Sequence, residues 1–226
     1  MLGIGHLLCF GIFITKMSDS CYACESIATS REHIPPRCLF PKGHRHDLIT
    51  VPSCDVHNLK KSRDDEYLRH VLACAPGNND LCLSLIEEGI LPSFDYRSHL
   101  VETFLPDLQA VSVRGMETGS FSVDLDRFFR SIGAIVKGLY FYNYRKQLTS
   151  EFQIAWGSLV TSDLAEAPFY KLIRNAENQL RPINRGANPR VFAYAFDASK
   201  GGSIRLCRLR FFEGHPIYAT WKVQTA

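Results

Sequence analysis

The chain has 226 residues, 46% hydrophobic and 22% charged, with a formal charge of +3. That is enough apolar material for one large domain or two small ones, and it excludes a wholly disordered chain, a collagen and a coiled coil. Eight cysteines exceed ordinary usage but fall well short of a disulfide scaffold, and so small a net charge argues neither for nor against nucleic acid.

Residues 2–15, LGIGHLLCFGIFIT, are apolar and uncharged. The run is shorter than the ~20 residues of a membrane span, and no basic residue precedes it. Residues 1–16 therefore read as an apolar segment ahead of a start at Met17, or as a signal or anchor. Residues 17–75 are dense in Cys, His and Pro and carry eight acids and eight bases. Within them, HIPPRCLFPKGHRH must be extended and looped, because three prolines and a glycine forbid a long helix. Asn58 to Leu72 reads as a helix with Leu68, Val71 and Leu72 on one face. APGNND at 75–80 is a turn cluster and a domain boundary.

Residues 76–226 form a second domain of no assigned role. Its first part, 76–126, holds nine acids against two bases, and 171–210 reverses this with nine bases against two acids. The strongest helical stripe runs over 123–142, through Leu125, Phe128, Phe129, Ile132, Ile135, Val136 and Leu139, with Asp124 suited to its first turn. Phe152, Ile154 and Trp156 alternate as in a strand, as do Phe192, Tyr194 and Phe196. Residues 163–180 read as another helix. Residues 203–212 and 216–223 read as a hairpin around Glu213-Gly214. The fold class expected is α+β.

The chemistry gathers in the first module. Cys21-x2-Cys24 sets two thiolates within reach of one ion, and Cys54-x2-His57 supplies a second chelating pair. Three sulfurs and an imidazole make a closed structural zinc site, and zinc would supply much of the folding energy of so small a module. Thiols kept for metal place the chain in a reducing, cytoplasmic compartment. Cys38, Cys74 and Cys82 fit no metal spacing and are assigned to packing, as is Cys207.

Between and beside these pairs stand Glu32-His33-Ile34-Pro35-Pro36 and Asn58, the latter directly after His57. The ordered set CYAC, EHIPP, SCDVHN and LKKSRDDEYL, over about residues 20–73, resembles the zinc-containing branch of the HNH endonucleases, the ββα-metal nucleases. The resemblance implies a small zinc-stabilised ββα-metal domain that hydrolyses DNA phosphodiester bonds. It makes His33 the general base, gives a catalytic divalent ion such as Mg²⁺ to Glu32 and Asn58, and leaves Cys21, Cys24, Cys54 and His57 to the structural zinc. His57 replaces the more usual fourth Cys. The third catalytic position is not fixed by the pattern; Asp65, seven residues after Asn58, shares its helix face, and Ser62 and Lys61 are alternatives. Phosphodiester hydrolysis suits such a set: a base titrating near neutrality for water, and a hard cation on oxygen ligands for the crowded phosphate. Lys60, Lys61 and Arg63 are candidate contacts to the nucleic-acid backbone, as are Arg181, Arg185 and Arg190 in the loop RPINRGANPR. The competing expectation is a zinc module that binds nucleic acid without cutting it.

Overall fold

A computed structural model describes residues 20–97, 99–113, 115–157, 171, 173, 186–198, 204–214 and 216–222. The apolar segment 2–15, most of the helix expected over 163–180, and both Arg181 and Arg185 lie outside the described residues, as does the side chain of Lys60.

The chain is α+β, as expected. Among the described residues the first strands are an antiparallel pair, β1 (Ser30–His33) and β2 (Thr50–Ser53), in which Glu32 stands opposite Val51 and His33 opposite Thr50. The proline-rich stretch between them makes only two short 3-10 turns, Arg37–Leu39 and Lys42–His44, and the Ile34–Pro35 peptide is cis. Helix α1 (Ser62–Ala73) follows, so the module runs strand, strand, helix. It starts later than the sequence pattern suggests, because Leu59–Lys61 form a 3-10 turn. Asn58 does not cap it: its amide instead donates to Ser30 Oγ at 2.8 Å.

Beyond the turn at 75–80, α2 (Asp80–Leu85) and α3 (Leu91–Tyr96) are joined by a π-type turn over Ile86–Ile90. Then come α4 (His99–Phe104) and an antiparallel hairpin, β3 (Gln109–Val113) with β4 (Met116–Ser120). The long helix α5 (Leu125–Tyr144) follows. Asp124 caps it by accepting from the Arg127 amide at 2.9 Å, and Arg145 ends it in the left-handed conformation at φ 54°. The stripe read from the sequence is its core face: Phe128, Ile132, Ile135, Val136 and Leu139 are wholly buried. Each contributes about 1.5–3 kcal/mol by leaving water.

Against α5 lies a four-stranded antiparallel sheet in the order β5 (Phe152–Trp156), β8 (Ile217–Lys222), β7 (Ile204–Phe211), β6 (Phe192–Ala198). Its register sets Arg205 beside Trp221, Cys207 between Phe196 and Ala219, and Leu209 between Tyr194 and Ile217. Cross-strand partners share a face, so these residues lie on one face, which turns to the main core except at the exposed Arg205. Cys207 is fully buried, and burial pushes its thiol pKa far up.

One hydrophobic core runs from Tyr22, Leu39 and Val51 through α1 and α5 to Leu209 and Trp221. Arg127 fastens the two helices: its Nε holds Asp64 Oδ1 at 2.7 Å and its guanidinium lies 4.3 Å above the Tyr67 ring, whose hydroxyl accepts from the Asp124 amide. Among the described residues no helix is long and apolar enough to cross a membrane.

Candidate metal centre

Two tight turns present the donors. The first is closed by a bridge between Ser20 and Ile27 and by the Cys21 amide donating to the Ser26 carbonyl at 2.9 Å. The second follows β2: the amides of His57 and Asn58 both donate to the Cys54 carbonyl at 3.0 Å, folding residues 54–58 back on themselves. The two turns are locked together by the Tyr22 amide, which donates to the Pro52 carbonyl at 2.9 Å.

The result brings Cys21, Cys24, Cys54 and His57 together, with all four ligand atoms within 4.8 Å of one another. His57 Nδ1 lies 3.5 Å from Cys21 Sγ, 3.5 Å from Cys24 Sγ and 3.3 Å from Cys54 Sγ. Cys24 Sγ and Cys54 Sγ are 3.8 Å apart. A zinc ion with Zn–S of about 2.3 Å and Zn–N of about 2.0–2.1 Å in a tetrahedron has S···S edges of about 3.8 Å and S···N edges of about 3.5 Å. The donors thus outline the coordination shell, and the cluster fits a zinc site.

The protonation chemistry suits ligation as well. Burial, with the nearby Lys137 charge, lowers the His57 pKa and keeps the ring neutral, the form that binds metal. The Ser26 hydroxyl and amide lower the Cys24 thiol, while burial raises Cys21, which a cation would offset.

The second half of the chain braces this cluster. Gln147, just past α5, donates its amide to the carbonyls of both Cys21, at 2.8 Å, and Cys24, at 2.7 Å. Tyr22 packs edge-on to the His57 ring with centroids 6.1 Å apart, and its fully buried hydroxyl finds no hydrogen-bond partner. No local sequence pattern marks Gln147, a glutamine that acts across more than a hundred residues.

Glu32 and His33, to which the resemblance assigns catalysis together with Asn58, sit on opposite faces of β1, as strand alternation requires. Glu32, only 4% exposed, points inward, where its Oε1 meets Lys61 Nζ at 2.8 Å. Lys61 Nζ also holds Asp65 Oδ1 at 2.7 Å. Burial raises the pKa of both acids, and Lys61 offsets this only in part. Burial works to lower Lys61, but Asp65 and Glu32 more than reverse it. One ammonium neutralises one carboxylate, so a second acid remains in excess in the cluster. Lys61, expected on the surface against phosphate, is instead 15% exposed and committed to these acids.

His33 is half-buried on the other face, and burial together with Arg37 lowers its pKa, favouring the neutral ring. Asn58 lies beside the metal-binding turn and ties it to β1, donating to Ser30 Oγ and, at 3.4 Å, to the Arg31 carbonyl. A catalytic ion on Glu32 would share that carboxylate with Lys61. The Arg63 side chain is exposed. Arg190, assigned to phosphate from the sequence, pairs with Asp80 and lies 3.8 Å from Glu213, so its charge serves to close the fold onto the acidic stretch.

No protein-family model matches the chain, and no curated protein or solved structure matches it either. The assignment of a metal centre therefore rests on the geometry of the four donors.

Proposed function

We propose that the chain is a zinc-stabilised, divalent-metal-dependent nuclease that hydrolyses DNA phosphodiester bonds. The observation that carries this reading is the Cys21–Cys24–Cys54–His57 cluster closing a strand–strand–helix unit that bears Glu32-His33 on its first strand and Asn58 at the entry to its helix. The zinc ligands are all used, so zinc has a structural role. The half-buried ring of His33, favoured neutral, is suited to take the proton from an attacking water. Glu32 and the Asn58 amide oxygen would hold a hard divalent ion, which would supply positive charge to the phosphate. Asp65 shares the Lys61 ammonium with Glu32 and thereby positions it.

The second reading, a nucleic-acid-binding zinc module without catalysis, is favoured by one specific feature: Glu32 is buried on Lys61 and faces away from His33. A cleavage assay separates the two. The zinc-loaded full chain is incubated with plasmid, linear duplex and single-stranded DNA, with and without Mg²⁺. Cutting that needs Mg²⁺, and that His33→Ala abolishes while zinc content and melting temperature stay unchanged, supports the nuclease. Binding without cutting, at any divalent ion tried, establishes the second reading in its place.

A further inference from the structure

On the far side of Gln147 from the metal cluster, α5 and the sheet enclose a recess of about 330 Å³. Four rings from three elements wall it. Tyr140 and Tyr144 stand one turn apart on α5, Phe196 comes from β6 and Trp221 from β8. Tyr140 and Trp221 meet at 78° with centroids 5.9 Å apart, and Phe196 and Trp221 at 80° and 6.2 Å. Tyr144 approaches Phe196 at 67° and 5.6 Å. Rings set edge-on to one another form the perpendicular walls of a box. Trp221 belongs to the main core and Tyr140 and Phe196 pack against it, whereas the Tyr144 ring is exposed at the mouth of the recess.

The charge on the rim decides what such a box takes. Aromatic cages that bind ammonium groups use the negative ring faces to attract a cation. Among the described residues the charged lining side chains are Arg205 and Lys222, both exposed, and none is an acid. Arg205 is moreover the direct cross-strand neighbour of Trp221, so a cation stands beside an aromatic wall. A ligand that is flat, aromatic and anionic satisfies both features.

We propose that this recess holds one unpaired nucleotide of a nucleic-acid strand, its base stacked against Tyr144 and Phe196 and its phosphate on Arg205 and Lys222. The proposal deepens the nuclease reading, and rests on it for the choice of ligand. It makes the substrate a single strand, or a duplex with an unpaired segment. Stacking platforms flanked by basic residues bind strands in this way, with little regard to sequence.

The test is a fluorescence titration of the zinc-loaded full chain with a short single-stranded DNA, an abasic strand of equal length, the matching duplex and a free mononucleotide. The base-bearing strand should quench Trp221 and bind at least about tenfold more tightly than the abasic strand or the duplex. Tyr144→Ala, at an exposed ring, and Phe196→Ala should each weaken it by about tenfold. Arg205→Gln should reduce the dependence of log affinity on log salt by about 0.7. Equal binding of the abasic strand, preference for duplex, or tighter binding of the free mononucleotide overturns the proposal. If the chain cuts DNA while Tyr144→Ala and Phe196→Ala leave strand binding intact, this proposal falls and the nuclease reading stands. If base-dependent binding is found without cutting under any metal, the recess stands and the nuclease reading falls.

Discussion

Gln147 Nε2 donates to the carbonyl of Cys24 at 2.7 Å, across 123 residues of sequence. With its second bond to Cys21, this places the loop after α5 directly behind the first pair of metal-binding thiols. Gln147→Leu removes both donors. At about 1 kcal/mol for each net hydrogen bond, stability should fall by about 2 kcal/mol. Zinc should also leave the variant faster when a chelator is added, with chromophoric chelation as the readout. An unchanged release rate would mean that the first loop holds its shape without help from the second half.

Lys61 lies between Glu32 and Asp65, and none of the three side chains is more than 16% exposed. Lys61→Met would strand two buried carboxylates, a loss of about 3–5 kcal/mol. Adding Asp65→Asn to that variant should recover part of the loss, since one buried charge is removed. Urea unfolding of the single and double variants measures both. If Lys61→Met is neutral, the cluster is more hydrated than its burial implies.

His70 is 1% exposed and sits between the rings of Phe104, at 4.3 Å and nearly parallel, and Phe94, at 5.2 Å. Its Nδ1 lies 2.6 Å from the Glu66 carbonyl, while Nε2 is buried without a partner. Burial lowers its pKa to about 4; the Glu66 carbonyl works against this and Arg69 adds to it. The folded state thus favours the neutral ring. The resulting stability is complete above the unfolded value near 6.5 and is lost as pH falls toward about 4. The loss is at most about 3 kcal/mol. Thermal melts from pH 7 down to 4.5 should show a steeper decline for the native chain than for His70→Phe; parallel curves would contradict this assignment.

Gly138 on α5 lies under Ile34, the residue after His33. A Cβ at Gly138 would stand 2.5 Å from Ile34 Cδ1 and 2.6 Å from its Cγ1. Ile34 is 1% exposed and has little room to move. Gly138→Ala should therefore cost about 1–3 kcal/mol by overpacking, despite the better helix propensity of alanine. Trimming the partner in Gly138→Ala/Ile34→Ala should relieve part of the strain, giving a positive coupling in a double-mutant cycle.

The long-period signals in the sequence translate directly into structure. The stripe over 123–142 is α5 within two residues, because so many apolar side chains at one spacing leave the helix a single face to bury. The hairpin around Glu213-Gly214 is likewise present as β7 and β8. The four metal donors were legible because chelating pairs are close in sequence. Lys61 was not, since a run of mixed charge resembles a solvated face until a 3-10 turn rotates one lysine inward. Nor were α2 to α4 and the β3–β4 hairpin, whose short segments carry weak periodicity; β4 is exposed throughout. The aromatic box was out of reach for the same reason as Gln147, since its walls come from residues 140, 144, 196 and 221 and meet only through sheet register.

A single ion held by Cys21, Cys24, Cys54 and His57 should organise the first module. X-ray absorption at the zinc edge, on chain purified without added metal, tests it most directly. The expected result is one zinc per chain, with three sulfurs at about 2.3 Å and one nitrogen at about 2.0 Å, and with one sulfur lost in Cys24→Ser. Metal-free protein that melts at the same temperature with and without added zinc, or a shell dominated by oxygen, would contradict the account.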